Sequence, residues 1–394
     1  TSKQPIPPGY KQTEVGVIPE EWEAFRLGAC GTFTSGSGFP LAFQGQSSGD
    51  YPFLKVSDFS LPENAKTVKA ANHYISEHVR KQIGAKVHAA RSVIFAKIGA
   101  AIFLERKRLI DQDSCIDNNM MSLALDPKRA WPAFFQHRLQ STMFADSVAA
   151  SALPTLSAKD LGALQLPVPP LPEQQAIAEA LGDADALIEA LEALIAKKRD
   201  IKQGAMQDLL TGHRRLPGFQ GEWVETRLGT LGSFAKGSGV KKDEANSGPL
   251  PCVRYGELYT HHTDIIRRFN SHISPEVAKG ALRLRPGDVL FAGSGETKEE
   301  IGKCAALVED VEAYAGGDII VLRPSSSSAE FLGYYLNLPD VQRQKASKGQ
   351  GDAVVHISSR ALGSIDLKLP PTLDEQRAIA AVLSDMDAEI AALE

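Results

Sequence analysis

The chain has 394 residues and a net charge of −5, with 43% hydrophobic and 23% charged residues. Those values exclude a disordered chain, a collagen and a disulfide-stapled miniprotein, and the length predicts two or three domains. The opening TSKQPIPPGYKQTEVGVIPE has no apolar stretch of signal-peptide length, no membrane-length apolar run follows, and the four cysteines (Cys30, Cys115, Cys252, Cys304) form no C-x-x-C. The expectation is a reduced, cytoplasmic protein with no membrane span, no zinc site and no disulfide framework.

In chain order, the short apolar runs Tyr51–Val56, Ser92–Ala96 and Met120–Leu125, broken by Gly, Pro, Asn and Asp, predict strands of a mixed α/β domain. The proline-marked exit Leu166-Pro-Val-Pro-Pro-Leu-Pro172 stops that domain and sets up a helix. Ile177, Leu181, Ala184, Ile188, Leu191 and Ile195 then alternate spacings of four and three, the heptad pattern of a helix–helix seam, with alanine-rich filler between them.

The chain then repeats itself. Trp22 to Gly28 matches Trp223 to Gly229, Gly36-Ser37-Gly38 matches Gly237-Ser238-Gly239, and Val93 to Ala96 matches Val289 to Ala292. Leu156-Ser157 matches Ile357-Ser358, and Glu173-Gln174-Gln175-Ala176-Ile177-Ala178 matches Glu375-Gln376-Arg377-Ala378-Ile379-Ala380. A period near 200 is too long for a solenoid and means two homologous domains. The second copy ends on its own seam, Ile379, Leu383, Met386, Ile390 and Leu393. Two seams in one chain predict that each helix buries its stripe on the other, running antiparallel.

Charge follows this plan. Residues 172–209 hold four basic and eight acidic residues and 371–394 hold one and six, a net −9 that leaves +4 for the rest of the chain. The globular domains are near neutral. Domains so balanced would bind nucleic acid only weakly without a basic partner, because they neutralise few phosphates.

Three motifs invite catalytic readings. Phe291-Ala292-Gly293-Ser294-Gly295 resembles the S-adenosylmethionine loop of amino-methyltransferases, but the polar-Pro-Pro-aromatic tetrad those enzymes need is absent. A methyltransferase built on Phe291–Gly295 is therefore the weaker alternative, and a strand ending in a tight turn the better one. Pro286-Gly287-Asp288 with Glu296-Thr297-Lys298 loosely echoes a nuclease metal motif, yet the first copy has Ser92 where Asp288 stands. Ser35–Gly38 and Lys236–Gly239 are glycine-rich but match neither G-x-G-x-x-G nor a P-loop. Nothing assembles an active site. A DNA-independent scaffold is the other alternative.

Tandem domains, each followed by a helix opening Leu-Pro…Glu-Gln-x-Ala-Ile-Ala, resemble the specificity subunit of type I restriction–modification enzymes, over essentially the whole chain. The phrases Gly9 to Trp22 (GYKQTEVGVIPEEW) and Gln207 to Gly212 (QDLLTG) are similar to that family as well. The resemblance implies an α+β fold: two homologous mixed α/β target-recognition domains separated by two long helices packed as an antiparallel coiled coil. It places target-recognition domain 1 at 1–165 and spacer helix 1 at 166–213. Domain 2 follows at 214–368, and spacer helix 2, which stops short of the first, at 369–394. It further implies a non-catalytic subunit that binds no cofactor itself. Its partners would be double-stranded DNA, two DNA adenine methyltransferase subunits and motor–nuclease subunits, which use S-adenosylmethionine, ATP and Mg.

Each domain is expected to read one half of a bipartite, asymmetric site, with the helices setting the spacing and docking the methyltransferase subunits. Hydrogen-bonding side chains on loops beside strands are the candidate readers. In the first domain they are Ser35, Lys55, Ser57, Asp58, Lys97, Asn118 and Asn119; in the second, Lys236, Lys241, Lys242, Arg254, Tyr255, Glu257 and Lys298.

Overall fold

The computed structural model describes residues 6–148, 153–351 and 353–394, with the side chain of Lys242 left out. It divides into two compact units, 1–188 and 189–394. In the first, a five-stranded sheet runs in the order Gly31–Ser35, Met120–Leu125, Val93–Ala96, Lys107–Ile110, Thr67–Val68. A smaller sheet orders Cys115–Ile116, Tyr51–Leu54 and Tyr74–Ile75, the first pair parallel. The second unit repeats the plan. Its main sheet orders Gly232–Lys236, Ile319–Pro324, Asp288–Ala292 and Cys304–Leu307; its second sheet orders Ser271–Ile273, Leu250–Val253, Tyr314–Ala315 and Leu282–Arg283.

The repeated V-I/L-F-A run is an inner strand in both units because both of its faces are covered. Successive side chains point to opposite faces of a strand. Accordingly Val93 and Phe95 join a core with Phe134, Phe135 and Phe144, while Ile94 joins one with Leu54, Phe59 and Ile116. Val289 and Phe291 likewise part from Leu290 and Ala292. A strand buried on two sides must read as a continuous apolar run, and these do.

The repeated Arg-Leu-Gly has a steric cause. A Cβ on Gly28 would lie 3.2 Å from the backbone of Gly162, and one on Gly229 would lie 2.9 Å from that of Gly363. A side chain at Gly229 would force backbone to shift, and one at Gly28 would crowd it, so glycine suits both positions.

The Glu-Gln that opens each helix is a tether. Gln174 accepts a hydrogen bond from the Trp131 N–H (2.8 Å) and donates to Arg129 and Pro169 carbonyls (2.9 and 3.0 Å). Gln376 accepts from the Ser328 N–H (3.0 Å) and donates to the Pro370 carbonyl (3.3 Å). Both amides are buried, so each helix start is fixed to its own domain by satisfied polar contacts. Glu173 accepts from the Trp22 indole at 3.1 Å, and Glu375 forms a bidentate pair with Arg215.

The long helix spans Leu171–Leu210 and the closing helix Leu373–Leu393, the latter capped by the Thr372 hydroxyl. Within the second unit they run antiparallel. Lys202 pairs with Asp387 and Lys198 with Glu389, both at 2.6 Å, and Arg199 pairs with Glu394. Ile379, Leu383 and Ile390 are buried and Met386 and Leu393 half-buried, while Leu191 and Ile195 on the long helix are half-buried. In the first unit Ile177 is half-buried. Leu181, Ala184 and Ile188, expected on the same seam, are exposed. A heptad register marks a stripe that can pack; it does not say which stretch of it meets a partner.

Among the described residues, no helix is long and apolar enough to cross a membrane.

Candidate nucleic-acid interface

The strands of each domain release the chain at a shared edge. In the first domain, the Gly36 N–H donates to the Met120 carbonyl (3.1 Å) and Ser37 to Ile116 (2.9 Å). Asp117 donates to Leu54 and Lys97 to Asn119, both at 2.8 Å. These bonds gather Ser35, Lys55, Lys97, Asn118 and Asn119 into one loop cluster. The Lys97 ammonium donates to the Ser35 hydroxyl (3.0 Å), and the Lys55 ammonium donates to the Gln44 side-chain carbonyl (3.1 Å). Asn118, Asn119 and Ser57 are exposed.

The second domain uses the same joints. Gly237 donates to Ile319 (2.8 Å), Gly316 to Val253 (2.9 Å) and Gly293 to Asp318 (2.7 Å). Lys236 and Arg254 each flank one of those joints, and Lys236, Gly293, Asp318 and His356 line a cavity of about 480 Å³. Lys241 and Tyr255 are exposed on the flanking loops, and Lys242 opens the short turn Lys242–Glu244. Lys298 is exposed three residues beyond the paired Ser294–Gly295.

Two expected readers are corrected. Asp58 and Glu257 are 1% and 2% exposed and cannot reach a base edge. Each closes a turn instead, accepting the backbone N–H of the basic residue three positions earlier. Two other residues were not recognised in the sequence. Asp318, exposed with φ 60°, stands where Asn119 stands in the first copy, and Gln44 receives the Lys55 ammonium. The repeat offset between Asn119 and Asp318 is a signal that could have located Asp318.

The glycine loop Phe291–Gly295 is tied into the fold by hydrogen bonds. Gly293 is bonded to Asp318, Ser294 and Gly295 pair with His356 and Val355, and Tyr259 donates its hydroxyl to the Ser294 carbonyl (3.1 Å). A Cβ on Gly295 would sit 2.7 Å from that hydroxyl, so the ring packs directly on this glycine. Asp288 is buried, accepts the Arg285 N–H (2.9 Å) and faces Arg323 (3.3 Å); burial raises its pKa, with the N–H and Arg323 opposing. It is a structural turn cap rather than a metal ligand, and no His, Cys, Asp or Glu group among the described residues is arranged to hold a metal ion.

The model of the type I restriction modification DNA specificity domain matches twice, over residues 19–198 and 220–394. The chain belongs to that family. Over 389 residues it is 21% identical to the type I restriction enzyme MjaVIII specificity subunit of Methanocaldococcus jannaschii, covering 94% of this chain and 87% of that one. It is 23% identical over 176 residues to the EcoKI specificity subunit of Escherichia coli K12, covering 43% and 37%. Among solved structures, the type I restriction–modification S subunit from M. genitalium matches with a TM-score of 0.58 at 16% identity, covering 94% of this chain and 91% of that one. The HsdS subunit from Thermoanaerobacter tengcongensis matches at 0.51 and 20%, covering 95% and 91%. Those two likenesses are likenesses of fold.

Proposed function

We propose that the chain is the non-catalytic specificity subunit of a type I restriction–modification complex, each domain reading one half of a bipartite, asymmetric DNA site. The observation that carries the reading is the double match to the specificity domain, each match containing one copy of the loop cluster. Its division into domains at 1–165 and 214–368, with spacer helices at 166–213 and 369–394, is part of the proposal. So are a cytoplasmic location, helices that set the half-site spacing, and docking of two adenine methyltransferase subunits and motor–nuclease subunits. S-adenosylmethionine, ATP and Mg would belong to those partners.

Co-expression with the modification subunits of its system, followed by sequencing of methylated adenines, tests this. The expected result is one split, non-palindromic site; methylation at a contiguous or palindromic site overturns it.

The charge distribution adds a second expectation. Near-neutral domains and helices carrying −9 neutralise few phosphates, and repel some. The isolated full chain should bind its target with a dissociation constant at or weaker than about 1 μM at physiological salt, the range of non-specific DNA binding. Affinity should tighten on assembly with the modification subunits. A nanomolar constant for the free chain would sink the charge argument.

A further inference from the structure

Equivalent backbone bonds match the two loop clusters position by position, and most chemistry-bearing positions differ between the copies. Ser35 corresponds to Lys236, Lys97 to Gly293, and Asn119 to Asp318. Each cluster nonetheless holds two cations: Lys55 and Lys97 in the first, Arg254 and Lys236 in the second. One of the two has moved, and one has not. Lys55 and Arg254 both stand immediately after their strands, Tyr51–Leu54 and Leu250–Val253.

The unmoved cation is held by a duplicated device. The Lys55 N–H donates to the Asp58 carboxylate (2.7 Å), and the Asp58 N–H returns to the Lys55 carbonyl (3.0 Å). The Arg254 N–H donates to the Glu257 carboxylate (3.0 Å), and the Glu257 N–H returns to the Arg254 carbonyl (3.0 Å). In both, an asparagine amide fixes the other oxygen: Asn72 on Asp58 at 2.6 Å and Asn270 on Glu257 at 3.2 Å. The same reciprocal turn also closes Lys241–Glu244 and Arg285–Asp288, but this one stands at the equivalent strand end of both domains. Both copies place a basic residue there.

A phosphate is the same in every sequence, whereas base edges differ. A residue that contacts phosphate can therefore stay the same in two domains with different targets, while base readers must diverge. We infer that Lys55 and Arg254 bind backbone phosphates, one in each half-site, with Asp58–Asn72 and Glu257–Asn270 as their positioning residues. Base readout falls to the positions that differ: Ser35, Lys97 and Asn119 in the first domain, Lys236 and Asp318 in the second. The inference rests on the DNA-specificity reading above.

The test uses the full chain assembled with its modification subunits, and a duplex carrying the site read from its methylome. Lys55→Gln should weaken binding roughly five- to tenfold and lower the slope of log K against log salt by about 1, with the methylated sequence unchanged. Lys55→Arg should restore both. Asp58→Asn should weaken binding in the same way but add little to Lys55→Gln, a non-additivity that general loosening of the fold does not produce. Lys97→Gln should instead alter preference in the first half-site alone. A Lys55→Gln complex that methylates a different sequence, or keeps the full salt slope, overturns the phosphate assignment. Additive losses from Asp58→Asn and Lys55→Gln overturn the positioning role. If Lys55→Gln, Lys97→Gln and Lys236→Gln all leave affinity and sequence untouched, DNA lies elsewhere and the interface itself falls.

Discussion

Replacing Leu383 by Ala is expected to destabilise the second unit by about 2–5 kcal/mol, the range for emptying a leucine site in a packed core. Leu383 is fully buried in a core that also holds Leu209, Leu210, Phe331, Tyr334 and Ile379, drawn from the long helix, the domain and its own helix. The melting temperature of that unit should fall on the order of 10 °C. Ile188→Ala is the control. It occupies the same heptad register in the first copy but is 53% exposed, and an exposed substitution of this kind costs within about 0.5 kcal/mol. Calorimetry of the full chain and both variants decides the matter. Equal losses would show that Ile188 is covered in solution and that the whole predicted seam is packed.

That contrast shows what the sequence could tell and why it stopped. Duplication was readable because each repeated phrase answers a local physical demand. Val93–Ala96 and Val289–Ala292 are apolar because both faces of an inner strand are covered, and Gly28 and Gly229 are glycine because another backbone abuts them. Glu173-Gln174 and Glu375-Gln376 recur because each buried amide anchors a helix start. None of these demands depends on distant sequence. Burial of a charged side chain does. Asp58 and Glu257 look like surface polar residues in a loop, and only the turn that folds them under Lys55 and Arg254 reveals them as internal. The strand-end cluster was half readable. Glycine-flanked loops pointed to Ser35, Lys97 and Lys236, whereas Asp318 carried only its repeat offset from Asn119 until the bond its carbonyl accepts from Gly293 placed it in the cluster.

The first domain should lose stability in acid through a single histidine, His88. It is 4% exposed, its Nδ1 lies 2.6 Å from the Ser122 hydroxyl oxygen, and its Nε2 has no hydrogen-bond partner. The Ser122 hydroxyl donates to the Thr34 carbonyl (3.4 Å), so its oxygen is free to accept from an Nδ1–H, which leaves Nε2 as a bare lone pair. Protonating that atom would create a buried, charged N–H with nothing to receive it. Burial first, and the nearby Lys86 charge second, push the His88 pKa from 6.5 down to about 4. Because the folded value lies below the unfolded one, the unfolded chain takes up the proton first as pH falls. The stability that neutral His88 confers is complete above pH 6.5 and drains away between there and about 4. A shift of that size corresponds to on the order of 3 kcal/mol. His88→Asn keeps a donor near Ser122 and removes the titration. Other carboxylates and histidines titrate alike in both proteins, so they cancel in the difference between the two melting curves. The wild type should therefore lose its advantage over the variant as pH drops from 6.5 to 4, and the gap should stay constant above that window. Parallel pH profiles from 7 to 4 would mean that His88 takes up its proton in the folded domain as readily as in the unfolded chain. The strand that carries Ser122 begins one residue after Asn119, so the same acid titration should loosen the edge on which that asparagine stands.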